Sequence, residues 1–93
     1  MSVVVRIPTP LRQITNGQDK VSVDGDNLSQ MIVSLESQYP GIRERLVDEA
    51  GDLRHFVNIY VNGEDMRFLE GLDTGIKTGD EISIVPAVAG GAW

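Results

Sequence analysis

Hydrophobic and polar positions alternate in four stretches of the chain, and a period of two is typical of half-buried β-strands. The stretches are residues 3–7, 19–23, 54–61 and 81–87. Pro8 and Pro10 end the first stretch, since proline has no N–H to donate to a sheet. Asn16-Gly17 adopts positive φ at little cost, so we expect a reversal there and a hairpin with a wide loop between the first two strands.

Between the second and third strands the period changes to that of a helix. Four apolar residues recur at spacings of three and four, which places them on one helical face: Leu28, Met31, Ile32 and Leu35. Asp26 is predicted as the N-cap, and Tyr39-Pro40-Gly41 as the end, because the residue before proline avoids the α region. Residues 41–47 are predicted as a short second helical turn, and residues 64–69 as a short strand.

This order of elements predicts an α+β fold. A hairpin, a helix packed across it and further strands added to the same sheet correspond to the β-grasp architecture of ubiquitin. We expect a mixed sheet of four to five strands with one main helix on one face and the other face open. The first and last strands would be central, adjacent and parallel. Residues 1–86 would form this domain, and residues 87–93 a flexible tail.

Composition excludes several classes of function. Fourteen acidic against eight basic residues give a net charge of −6, which disfavours nucleic acid and anionic membranes and favours a basic protein partner. With no cysteine, the chain has no disulfide, no thiolate metal site and no sulfur nucleophile. The first residues lack the pattern of a signal peptide, and no segment has transmembrane length, so we expect a cytoplasmic protein.

The side chains offer no convincing active site. His55 is the only histidine, and it lies in a strand pattern with no nucleophile elbow to accompany it. The carboxylates between Glu64 and Glu81 cluster around turns without the spacing of a metal loop, and no phosphate-binding loop is present. We therefore expect no enzyme activity, no metal site and no bound cofactor.

The open face of the sheet carries a possible docking patch. Four apolar residues would point outward from three strands, beside Arg6 and Asn58: Val4, Phe56, Tyr60 and Val85. Such a group is either a surface for a partner or ordinary cross-strand packing, and the pattern leaves both open.

The end of the chain, PAVAGGAW, consists mainly of small uncharged residues. From Pro86 to Gly91 the residues have too little side chain to pack, so the segment is either a frayed terminus or a slender arm that enters a narrow channel of another protein. When extended, six residues reach roughly 20 Å, which suffices to enter a neighbour's site.

The chain resembles the ThiS/MoaD family of ubiquitin-like sulfur carrier proteins. The resemblance rests on LR at 11–12, YP at 39–40, VNGE at 61–64 and above all TGDEISIVPAVAGG at 78–91. Within that family, NIYVN and PAVAGG are most similar to the CysO-type carriers of cysteine biosynthesis. The resemblance implies the same β-grasp fold.

It also implies that the reactive group is the carboxylate of Gly91, carried on the tail residues Ala87, Val88, Ala89 and Gly90. An E1-like adenylyltransferase/sulfurtransferase would adenylate it with ATP, and sulfur would then displace AMP to give a thiocarboxylate. Val4, Phe56, Tyr60 and Val85 would form the docking patch. Because Ala92 and Trp93 follow Gly91, a JAMM-type metallopeptidase is expected to cut between Gly91 and Ala92; the alternative is an extension with no role.

The resemblance further implies a sulfur-accepting, cysteine-synthase-like enzyme as a partner. Three alternatives stay open: a ubiquitin-like modifier that forms isopeptide conjugates, the small subunit of molybdopterin synthase, and a β-grasp binding module whose tail is inert.

Overall fold

The computed structural model of the protein describes residues 2–54 and 57–86. Within these residues, five strands form one mixed sheet in the order β2-β1-β5-β3-β4. The strands are β1 (Ser2–Arg6), β2 (Lys20–Asp24), β3 (Val57–Val61), β4 (Glu64–Asp65) and β5 (Glu81–Pro86). The helices are α1 (Leu28–Gln38) and α2 (Ile42–Leu46), with 3-10 turns at Thr9–Leu11, Met66–Phe68 and Gly71–Asp73. The predicted mixed sheet with one main helix is confirmed.

The core lies on one face of the sheet. Each of β1, β3 and β5 buries alternate residues, among them Val5, Ile59 and Ile82, which are fully buried. The four predicted helix residues, Leu28, Met31, Ile32 and Leu35, are all buried against this face. All the buried residues of these three strands therefore share the helix side, as the alternation predicted.

The first and last strands are adjacent and parallel. Val4 lies opposite Glu81 and Arg6 opposite Ser83, while every other strand pair is antiparallel. Parallel neighbours require the intervening chain to cross over the sheet, and α1 lies within that crossover. The reversal predicted at Asn16-Gly17 is confirmed, since both residues have positive φ.

Helix α1 begins one residue later than predicted. The N-cap is Asn27, whose Oδ1 accepts a hydrogen bond from the Gln30 N–H at 2.8 Å. The backbone of Asp26 is used elsewhere, because its carbonyl accepts from the Ile76 N–H at 3.0 Å. Asp26 is therefore held outside the helix by a tertiary contact, and its prediction as the cap was wrong.

The connection between the two helices is held by Glu36. Its carboxylate accepts from the Arg43 N–H at 2.9 Å and from the Gly41 N–H at 3.1 Å. These two backbone donors, that of Arg43 first, hold the pKa of Glu36 below its usual value. Gly41 has φ +102°, a conformation that favours glycine. The predicted turn at 41–47 is confirmed as α2.

The strand predicted for residues 64–69 is wrong beyond Asp65. The Asp65 carboxylate accepts from the Arg67 N–H at 2.8 Å and starts a 3-10 turn instead. The Arg67 Nη2 donates to the Val57 carbonyl at 3.2 Å. The Arg67 side chain therefore covers the edge of β3 with which a longer β4 would have paired.

The strand predicted from Arg54 begins at Val57 among the described residues. Arg54 itself is bound to α2, because its N–H donates to the Leu46 carbonyl at 2.9 Å and its Nε to the Glu44 carbonyl at 2.8 Å. Within the described ranges, no helix combines the length and the apolar character needed to cross a membrane.

Candidate functional site

The predicted tail leaves the sheet from its centre. Strand β5 lies between β1 and β3, and its last residue, Pro86, lies opposite Val57. Gly91, the predicted reactive residue, lies outside the described residues together with Ala87, Val88, Ala89, Gly90, Ala92 and Trp93. Their roles in reaction and processing stay predictions, but the structure defines the strand that carries them.

The other end of β5 is held by a side-chain network around Asn62. The Asn62 Nδ2 donates to the Asp80 Oδ1 at 3.1 Å, and its Oδ1 accepts from the Glu81 N–H at 2.9 Å. Asp80 is buried, and its Oδ2 accepts from the Lys77 N–H at 2.9 Å. These bonds satisfy the buried carboxylate and set the point at which β5 enters the sheet.

The outer face of the sheet carries three of the four predicted docking residues. Tyr60 lies opposite Ser83, and Val85 is two residues further along β5, so Tyr60 and Val85 are diagonal neighbours on the same face. Val85 is 38% exposed and Tyr60 is half-buried. Phe56 lies outside the described residues.

Val4 shares this face but not this group. It lies opposite Glu81 on β5, four residues from Val85, which corresponds to about 13 Å along the strand. Between them lie Arg6 and Ser83, which face each other across the two strands. The apolar residues therefore form two separate spots.

A polar stripe borders Val4 on the outer face and consists of Arg6 on β1 with Glu81 and Ser83 on β5. The Arg6 Nη1 and the Glu81 Oε1 are 3.5 Å apart, and both side chains are about half exposed, at 52% and 51%. An ion pair in this setting contributes little to stability, because water screens it. Both charged groups are therefore exposed on the outer face.

Asn58 lies at the root of the tail, opposite Val85. Its Oδ1 is buried and has no hydrogen-bond donor among residues 2–54 and 57–86. Buried acceptors are normally satisfied, so this atom is an unused acceptor next to the point where β5 ends.

Two of the carboxylates between Glu64 and Glu81 stabilise turns as predicted, and so does Asp48, which lies outside that predicted set. Asp65 and Asp80 accept backbone N–H groups of their own turns, and Asp48 accepts those of Ala50 and Asp52. In the described part of the chain, no three His, Asp or Glu side chains come together as a metal ion would need. His55 lies outside the described residues.

One exposed apolar pair was not predicted from the sequence. Phe68 is 82% exposed and Leu69 is 37% exposed, in and just after the 3-10 turn at Met66–Phe68. A strand over residues 64–69 would have buried one of its two faces. The signal in the sequence was an adjacent Phe-Leu pair surrounded by acidic residues.

Comparison with protein families matches residues 5–91 to the ThiS family. The chain is 56% identical over 93 residues to sulfur carrier protein CysO of Mycobacterium tuberculosis, covering 98% of this chain and all of that protein. It is 33% identical over 94 residues to small archaeal modifier protein 3 of Haloferax volcanii, covering 98% of this chain and all of that protein.

Solved structures agree with the fold. The crystal structure of the Amycolatopsis orientalis BexX/CysO complex matches with a TM-score of 0.90 and 47% identity, covering 96% of this chain and 99% of the matched chain. The crystal structure of the Mycobacterium tuberculosis CysO matches with a TM-score of 0.88 and 55% identity, covering 92% and 99%. The ubiquitin-like β-grasp prediction is thereby confirmed.

Proposed function

Because the chain belongs to the ThiS family and is a homologue of the sulfur carrier CysO, we propose that it carries sulfur as a thiocarboxylate on Gly91. In this proposal the protein is a cosubstrate and not an enzyme. The thiocarboxylate donates its sulfur in the biosynthesis of cysteine or a related sulfur metabolite, to a cysteine-synthase-like acceptor enzyme.

One observation carries the proposal. The family match extends to Gly91 and stops before Ala92, although the sequence continues for two residues. Pro86 is the last residue of the central strand and lies opposite Val57 of β3, so the segment that reaches Gly91 starts directly from the sheet. A well-fixed root with a slender end suits a group that must enter another protein's site.

The chemistry follows from the low reactivity of a carboxylate. The Gly91 carboxylate attacks the α-phosphate of ATP, which releases pyrophosphate and forms an acyl adenylate. A sulfur nucleophile at the oxidation level of sulfide then attacks the carbonyl carbon, AMP leaves, and one carboxylate oxygen has been replaced by sulfur. ATP and both steps belong to an E1-like partner, and the carrier supplies no side chain.

Two residues must leave first. A peptide carbonyl between Gly91 and Ala92 has no free carboxylate to adenylate, so the chain ending in Ala92-Trp93 is a precursor in this proposal. A JAMM-type zinc metallopeptidase hydrolyses that one bond and releases the dipeptide. The cut leaves the described domain untouched, because it lies five residues beyond Pro86.

The outer face is the proposed contact surface for the enzymes that use the tail. Tyr60 and Val85 lie beside its root, and the unused Asn58 acceptor lies opposite Val85. The complex of BexX with a CysO that matches this chain supports the idea that such a carrier binds a partner protein.

The test compares chains ending at Gly91 and at Trp93. Each is incubated with ATP, a sulfide source and the E1-like enzyme, and its mass is measured. We expect one oxygen-to-sulfur exchange on the chain ending at Gly91 and none on the longer chain. If the chain ending at Gly91 forms no thiocarboxylate, the carrier function is refuted. If the intact chain ending at Trp93 is adenylated, the claim that it is a precursor is refuted.

A second candidate function is that of a protein modifier. The identity with small archaeal modifier protein 3 extends over 98% of this chain, and an activated Gly91 could pass to a lysine amine as an isopeptide. Mass spectrometry of the same reaction in a cell extract separates the two functions. Conjugates that carry the Gly91 end on lysine support the modifier, and free thiocarboxylate without conjugates supports the carrier.

A further inference from the structure

Phe68 is presented to solvent by an ordered turn. We name residues 64–70 the Phe68 turn. Met66 is buried beneath it, the Asp65 carboxylate accepts the Arg67 N–H, and the Leu69 N–H donates to the Met66 carbonyl at 2.9 Å. The turn is therefore fixed by a buried anchor and a cap, and the 82% exposure of Phe68 belongs to its defined conformation.

The surroundings of Phe68 are acidic. Four carboxylates occur between residues 62 and 76, and the single cationic residue there is Arg67, whose Nη2 donates to the Val57 carbonyl. The acidic residues are Glu64, Asp65, Glu70 and Asp73. An apolar tip within a negative field is complementary to an apolar pocket with a rim of Lys or Arg.

The Phe68 turn lies near the root of the tail. Arg67 contacts Val57, and Val57 lies opposite Pro86 on β5. These contacts keep Phe68 within about 20 Å of Pro86, and a protein interface of ordinary size is wide enough to span both. Among residues 2–54 and 57–86, the large apolar side chains exposed outside the Phe68 turn are Val33 on α1 and Val85 on the outer face.

We propose that Phe68 and Leu69 are the anchor of a second docking surface for the adenylating enzyme that receives the tail. That enzyme would hold the pair in an apolar pocket rimmed by basic residues. This inference rests on the proposed sulfur-carrier function, because it assigns a further contact to the same partner.

The test measures binding of the chain ending at Gly91, the form that has a free terminal carboxylate in the proposed function, to the E1-like enzyme by calorimetric titration. Phe68→Ser should weaken binding by at least about tenfold, as expected for loss of an aromatic anchor. Val33→Ser is the matched control, since Val33 is 61% exposed on α1; its affinity should stay within about twofold of wild type. Both variants are at exposed positions, and circular dichroism verifies that they fold.

A charge variant tests the basic rim. The double variant Glu64→Gln/Glu70→Gln should have a lower association rate constant that depends less on salt concentration. The reason is that long-range attraction between opposite charges accelerates the encounter of two proteins. Wild-type affinity in Phe68→Ser, or an equal loss in Val33→Ser, would overturn the docking surface.

Thiocarboxylate formation by the chain ending at Gly91, measured separately, distinguishes the two proposals. If this reaction proceeds while Phe68→Ser binds like wild type, only the docking surface fails. If the wild-type chain ending at Gly91 neither binds the enzyme nor forms a thiocarboxylate, both proposals fail.

Discussion

Replacing Asn62 tests whether the start of β5 depends on side-chain hydrogen bonds or on backbone conformation. Asn62 has φ +51°, a region that costs a residue with a Cβ atom about 1 kcal/mol and that asparagine tolerates better than alanine. Its side chain also makes the two hydrogen bonds to Asp80 and Glu81. Each contributes about 1 kcal/mol, and their loss leaves the buried Asp80 with one donor fewer.

These contributions predict a graded series. Asn62→Ala loses both bonds and adds the backbone strain, so we expect a loss of about 3 kcal/mol in the free energy of unfolding. Asn62→Gly loses the bonds but avoids the strain, and should lose about 2 kcal/mol. For a domain of this size, a loss of about 3 kcal/mol lowers the melting temperature by roughly 10 to 25 °C.

The assay is urea unfolding followed by circular dichroism, with equal m-values required for the comparison. If Asn62→Ala is within about 0.5 kcal/mol of wild type, the hydrogen-bond argument is refuted. If Asn62→Gly is as unstable as Asn62→Ala, the strain argument is refuted while the bonds retain their role. Thiocarboxylate formation at low temperature should be unchanged in both variants, because Asn62 lies at the end of β5 opposite to the tail.

Three further tests address the packing and the capping of the fold. Because its folded-state pKa is lowered, Glu36 stabilises the fold fully above the ordinary glutamate pKa of about 4.3 and loses this effect as pH falls below it. Glu36→Gln should therefore flatten the acid limb of stability measured by urea unfolding, and an unchanged limb contradicts the assignment. Gly25→Ala should cost about 1–3 kcal/mol, because its Cβ would lie 2.8 Å from the Met31 backbone nitrogen. Gly75→Ala, with 3.9 Å to its nearest neighbour, is the control, and equal losses would contradict the clash. Ile59→Ala in the fully buried centre of β3 should cost about 2–5 kcal/mol in the same assay, and a loss below about 1 kcal/mol would contradict tight packing there.

The positions of the proposed docking residues on the sheet were predicted in part, and the parts that could not be predicted have physical reasons. Alternation along each strand correctly placed Val4, Tyr60 and Val85 on the outer face, because successive side chains point to opposite sides. It could not reveal that Val4 is separated from the other two, since that depends on how β1 and β5 are aligned. The Phe68 turn was missed because Asp65 and Arg67 end the strand pattern through hydrogen bonds that the hydrophobic pattern does not encode.

The amino-acid sequence was sufficient to predict the elements whose signals are local. Three kinds of signal act within a few residues: the alternation in the strands on either side of the helix, the turn residues Asn16-Gly17, and the helix end at Tyr39-Pro40. The β-grasp order could therefore be predicted from them. The tail after Pro86 stays a prediction from composition, because residues 87–93 lie outside the described residues. Three features could be seen only in the folded protein: the register of β5, the cap of α1 and the exposure of Phe68. Each depends on hydrogen bonds or packing between residues far apart in the chain, such as Asp26 with Ile76 and Arg67 with Val57, and such contacts leave no periodic trace in the sequence.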